Sequence, residues 1–141
     1  MTALIHRDNR EKDFRGANFD TKPLRLSTGD WIIAAKAMVS NYHNARSTEV
    51  TATLRLEPKA FGSLTLMLPR IDRQVVNLQG GGWIWVGLII GVQVVEPRRV
   101  ALLLESTIDY GIQVSRIIIT AVPVDGFEGP FNTAQENIRI P

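Results

Sequence analysis

The stretch from Gly80 to Glu96 restricts the fold more than any other part of the chain: Gly-Gly-Gly-Trp-Ile-Trp-Val-Gly-Leu-Ile-Ile-Gly-Val-Gln-Val-Val-Glu. From Ile84 onward the even positions Ile84, Val86, Leu88, Ile90, Val92 and Val94 are all aliphatic, while the odd positions read Trp83, Trp85, Gly87, Ile89, Gly91 and Gln93. A period of two is the repeat of an extended strand, whose successive side chains leave on opposite faces. The aliphatic face belongs to a sandwich core. The other face, with its large aromatics, glycines and single amide, suits a second interface better than open water. We expect a long central strand around which the remaining elements pack. The stretch is too short and too rich in glycine and β-branched residues to read as a membrane-spanning helix.

Other segments repeat the pattern. Trp31, Ile33, Ala35, Ala37 and Val39 alternate with Ile32, Ala34, Lys36, Met38 and Ser40. The alanines also fit a helix, but the odd-position pattern after the Ser27-Thr28-Gly29-Asp30 turn favours a strand, forming a hairpin with Pro23 to Leu26. Thr48 to Glu57 places Val50, Ala52, Leu54 and Leu56 inward, and Ser63 to Leu68 resumes the pattern after a Pro58 break. Ile71 to Leu78 reads as a charged edge strand. Val100, Leu102 and Leu104 face the core from a strand expected to pair with the central one across the Glu96-Pro97-Arg98-Arg99 turn. Ile112 to Val124 is the last long strand, apolar on both sides, with Val114, Ile118, Val122 and Val124 opposite Ile117, Ile119 and Ala121.

Short strands separated by turn residues, with no convincing helix, make an all-β protein: an antiparallel β-sandwich, most simply a jelly roll. The expected organisation is an N-terminal arm at 1–22, a sandwich domain at 23–127 and a C-terminal tail at 128–141. The arm mixes charges of both signs, and Arg7, Arg10, Phe14 and Phe19 are its candidates for docking onto a neighbouring subunit. Strands apolar on both faces leave more apolar surface than a two-layer sandwich buries, so a homo-oligomer is expected. Its interface candidates are Trp83, Trp85, Ile89, Ile117 and Ile119.

Catalytic chemistry is hard to place. With no cysteine there is neither a thiolate nucleophile nor a thiolate metal site. His6 and His43 are the only histidines and neither has metal-ligand spacing, so no metal and no cofactor are expected. No serine sits in a nucleophile elbow. The Gly80-Gly81-Gly82 run lacks the Lys-Ser/Thr of a phosphate loop and leads into a strand, so its glycines read instead as an approach to Trp83 or a close backbone passage. Glu96, Glu105 and Asp109 lie near turns, as solvated carboxylates do. Arg98-Arg99 with Arg70 and Arg73 would make a basic patch, but no aromatics interleave with them, and a net charge of +2 argues against nucleic acid. Charges directly after Ile5 break up any secretory signal, so export by the Sec route is not expected.

The order Gly29-Asp30-Trp31-Ile32-Ile33-Ala34-Ala35-Lys36-Ala37, then Val50-Thr51-Ala52-Thr53-Leu54, then Ile119-Thr120-Ala121-Val122-Pro123-Val124-Asp125-Gly126-Phe127 resembles a group of small β-sandwich proteins of actinobacteria and their phages. The pattern, over residues 24–127, resembles the trimeric jelly roll of the tumour necrosis factor type, a shape shared by phage decoration proteins, tail proteins and fibre tips. The resemblance implies a non-enzymatic structural protein, a homotrimer in a virion, with capsid or tail proteins as partners; no membrane partner is expected, because the one long apolar stretch is too short to span a bilayer. It carries no catalytic signature. The alternative is a carbohydrate-binding module or receptor-binding tip, in the cytoplasm or exported without a Sec signal, with Tyr42, His43 and Asn44 as ligand contacts beside Trp83 and Trp85.

Overall fold

In the computed structural model, residues 2–57 and 70–125 are described. The expected strand at Ser63 to Leu68 and the C-terminal tail at 128–141 lie outside the described residues, as does the end of the sandwich span from Gly126. The described residues form ten strands, in order β1 (Leu4–Asp8), β2 (Lys12–Asp13), β3 (Asn18–Asp20), β4 (Leu24–Leu26), β5 (Gly29–Ser40), β6 (Thr48–Glu57), β7 (Arg70–Leu78), β8 (Trp83–Val94), β9 (Arg98–Ser106) and β10 (Gln113–Val124). No helix occurs among the described residues.

Alternation decides which side of each strand goes inward. On β5 the odd set, Trp31, Ile33, Ala35, Ala37 and Val39, is buried, and Val50, Ala52, Leu54 and Leu56 of β6 meet it from the opposite sheet. Val86, Leu88, Val92 and Val94 of β8 and Val100, Leu102 and Leu104 of β9 complete the core. The helical reading of 31–40 fails because a helix would spread Trp31, Ile33 and Val39 around its axis, whereas a strand sets all of them on one face.

Two antiparallel sheets enclose this core. Sheet A runs β1-β10-β5-β8 with β2 also on β10, and sheet B runs β3-β9-β6-β7 with β4 also on β9. Beyond β2, the chain crosses repeatedly between the sheets, and among the described strands only β6 and β7 are long neighbours in chain order that pair in one sheet. This is the double-sheet order of a jelly roll.

Four expectations are corrected. β5, flanked by β10 and β8, is the central strand of sheet A, while β8 lies at the margin of that sheet as described. β4 forms no hairpin with β5 but pairs with β9, Leu24 opposite Val100. β8 and β9 do not pair, since they belong to different sheets. Residues 4–20 are no arm: β1 and β2 hydrogen-bond to β10, and β3 to β9, with Leu4 opposite Ala121 and Phe19 opposite Leu104.

The fifth correction concerns β10. Its register with β5 shifts between Ser115 and Ile118, at a bulge where Arg116 has φ 53°. The extra residue switches the alternation, so Val114 before the bulge and Ile117, Ile119 and Ala121 after it all face the core. The strand that looked apolar on both faces is one whose phase changes partway.

Candidate functional site

Because described chemistry-bearing groups are scattered, the functional geometry lies in the molecule's faces and in one of its ends. On the outer face of sheet A, cross-strand pairing assembles a row of Ile5, Thr120, Ala34 and Ile89. Ile5 is 57% exposed, Ile89 69% and Val122, one pair along, 41%. Ile32 and Ile118 fill in between them, half-buried. Lys36 lies in the middle of this face with its ammonium 4.3 Å from the centre of the Trp85 ring. A cation over a ring face is held by the ring's quadrupole, and its stem covers apolar surface.

Of the residues expected at a subunit interface, the structure sets Trp83, Trp85 and Ile89 on this outer face. Ile117 and Ile119 are corrected: at 1% and 0% exposure they belong to the subunit's own core, turned inward by the β10 bulge. The expected docking residues divide too. Phe14 is 8% exposed and packs in the core, its ring 6.1 Å from that of Phe19, so both anchor the chain to its own sandwich rather than to a neighbour. Arg7 and Arg10 are exposed. They line a cleft of about 540 Å³ between the N-terminal strands, with His6, Asp8, Lys12 and Lys22. Asp8 takes hydrogen bonds from the Lys12 side chain and from the Arg10 backbone and guanidinium, which hold its carboxyl far below the usual carboxylate range.

The outer face of sheet B is different. Thr51, Thr53, Arg55, Arg73, Leu103 and Glu105 line an open groove of about 460 Å³. Arg55 reaches Asp20 of β3 at 3.8 Å. Arg98 is buried at 7% exposure and ion-paired with Glu96 at 2.7 Å, so it is no part of an exposed basic patch.

At one end of the sandwich three loops are fastened together: 41–47 after β5, 79–82 before β8, and 107–112 before β10. The Asn41 N–H donates to the Gly82 carbonyl at 2.8 Å, and the Gly81 N–H donates to the carbonyls of Asn41 and Asn44, each at 2.9 Å. The Asn44 amide donates to the Tyr110 carbonyl at 3.5 Å and accepts from the Arg46 N–H at 3.0 Å. Asn44, 6% exposed, is therefore a fastener of loops and not the ligand contact expected of it, whereas Tyr42 and His43 are exposed. Gly80 is required here because a Cβ would lie 2.2 Å from the Ala45 carbonyl oxygen. The glycine run is thus a close backbone passage. Tyr110, 55% exposed, joins Tyr42 and Trp83 at this end. Its part was missed because nothing in the local sequence ties the 107–112 loop to the other two.

Among the described residues no group of three or more His, Cys, Asp or Glu side chains is arranged to hold a metal. No family model matches the chain. No curated protein matches it. Solved structures do share its fold. A chain of infectious bursal disease virus, Gx strain, superposes with a TM-score of 0.61 at 9% identity, covering 89% of this chain and 33% of the viral one. The CBM22-1 xylan-binding domain from Paenibacillus barcinonensis gives a TM-score of 0.55 at 11% identity, over 87% of this chain and 86% of that domain. The C-terminal family 22 carbohydrate binding module from Clostridium thermocellum gives 0.50 at 18% identity, over 89% and 84%. The chain spans about a third of the length of the viral chain it matches. At these identities the likeness is one of fold, and the fold is an antiparallel β-sandwich shared by jelly-roll viral chains and carbohydrate-binding modules.

Proposed function

We propose that this chain is a non-enzymatic structural subunit that assembles with itself, as a trimer, at the surface of a phage virion or similar particle, where capsid or tail proteins are its neighbours. The observation that carries this reading is the outer face of sheet A, where Ile5, Ile89 and Val122 stand exposed around Ile32, Ala34 and Ile118, with Lys36 as the charged residue among them. Each 100 Å² of apolar surface withdrawn from water contributes about 2.5 kcal/mol, so a contiguous face of this kind favours association once the costs of ordering are met. The trimer follows the resemblance to the tumour necrosis factor type. The particle surface is the setting in which the related shapes occur.

The test is the mass of the full chain in solution by light scattering, beside Ile89→Asp and Val122→Asp. Both positions are exposed, so the variants keep the fold, which circular dichroism checks. A trimer that falls to monomer in the variants supports the reading. A monomeric native chain, or a trimer indifferent to both charges, overturns it.

A further inference from the structure

Tyr42, Trp83 and Tyr110 are 47%, 53% and 55% exposed, and they are the exposed aromatic side chains among the described residues. All three belong to the end of the sandwich closed by the 41–47, 79–82 and 107–112 loops, Trp83 as the first residue of β8 opposite Ser40. Elsewhere the described aromatic rings are withdrawn: Trp31 and Phe14 are buried, Phe19 packs on the core, and Trp85 carries Lys36 on its face. From this concentration of exposed rings we infer that the loop end is a binding site for a neutral pyranose glycan, centred on Tyr42 and Tyr110 away from the assembly row of Ile5, Ile89 and Val122, with Trp83 at the border between the two.

The chemistry of the end selects that ligand. A pyranose presents flat C–H faces ringed by hydroxyls, and a Tyr or Trp offers the complement, an apolar ring face with a polar handle at its margin. His43 and Asp109 stand exposed next in sequence to Tyr42 and Tyr110, supplying further hydrogen-bonding groups for sugar hydroxyls. One exposed cation, Arg46, and one exposed carboxylate, Asp109, balance each other across these loops, which favours a neutral ligand over a charged one. The site is also built in advance. The loops are joined by the bonds from Asn41, Gly81 and Asn44, and the Asn41 amide braces the first loop from within by donating to the Arg46 carbonyl at 2.7 Å. Held loops lose little freedom on binding, so their rings engage a ligand at low entropic cost. The sheet B groove, although polar, has no aromatic side chain in its lining.

Affinity electrophoresis of the full chain through gels containing xylan, β-glucan, glucomannan or arabinogalactan, backed by an array of neutral oligosaccharides, tests the site. The expected result is retardation by at least one neutral glycan, weakened five- to tenfold by Tyr42→Ala or Tyr110→Ala and abolished by the double variant, while both single variants keep the native mass in solution. Ile89→Asp, which removes the assembly contact, is expected to retain binding, so failure of this site and failure of the assembly reading are told apart. No retardation across gels and array overturns the inference. So does retardation that survives the Tyr42→Ala, Tyr110→Ala double variant, or that is lost in Ile89→Asp and kept in the double variant, since the ligand would then lie on the sheet face.

Discussion

The two outer faces of the sandwich are built from the same kind of strand and end up with opposite characters. On sheet A the row Ile5, Thr120, Ala34 and Ile89 crosses four strands with no charged side chain in it. On sheet B the corresponding surface is mostly threonine, arginine and glutamate, with Arg55 tied to Asp20 and with Leu103 and the exposed Val75 as its apolar members. Both sheets contribute equally well to the core, so inward packing does not explain the difference. An antiparallel sheet buries one face and leaves the other to water or to a partner. Sheet B is furnished for water, sheet A for a partner.

The sharpest way to break this comparison is to shorten an isoleucine on either side of sheet A. Ile119→Ala, at a fully buried position, is expected to cost about 2–5 kcal/mol in denaturant unfolding, whereas Ile89→Ala, on the exposed side, stays within about 0.5 kcal/mol for the folded subunit. Equal costs would mean that the bulge does not set the phase of β10 as described. A second variant addresses the seam where the two sheets meet. Gln74 of β7 accepts the Gly87 N–H of β8 at 3.0 Å. Gln74→Ala is expected to cost about 1 kcal/mol and to raise hydrogen exchange at the Gly87 amide, while the β5 amides keep their protection.

The bulge itself is the next target. Arg116 occupies the left-handed region at φ 53°, where glycine is unstrained. Arg116→Gly is expected to leave the fold intact and to raise stability by no more than about 1 kcal/mol, read as a small increase in Tm. A large loss would show that the arginine side chain, not the backbone, holds the bulge. The smallest effect concerns the N-terminal strands. The Asp8 carboxyl titrates below its ordinary value of 3.8 because Lys12 and Arg10 hold the charged form. A carboxyl with a lowered folded pKa stabilises the protein above its unfolded pKa and loses that contribution as pH falls below it. Asp8→Asn should therefore be slightly less stable than the native chain at neutral pH, where the contribution is present, and the two should converge as pH falls below about 4.

Much of this architecture was legible in the residues. The inward sets of β5, β6, β8 and β9 follow from alternation, because a strand that buries one face must repeat every second residue. The exposed Trp83 and Ile89 follow equally, as the odd members of β8. The N-terminal strands were not legible. β1 spans only Leu4–Asp8 and β3 only Asn18–Asp20, and lengths like these carry too few apolar residues to show a period. The loop end was half legible: Tyr42 and Trp83 stand out as aromatics beside turns, but Asn44 reads as a free polar residue until its bonds to Tyr110 and Arg46 are seen.

The sequence by itself determined that the chain is a β-sandwich and which side of each long strand its core would claim, since both depend on local patterning of apolar side chains. Tertiary structure alone decided the partners. β1 finds β10 and β4 finds β9 through backbone hydrogen bonds between residues far apart in the chain, and backbone groups are the same at every position. It also decided the phase of β10, where one left-handed residue turned Ile117 and Ile119 from the outer face into the core. Side chains specify a face, but a register is specified only when two strands meet.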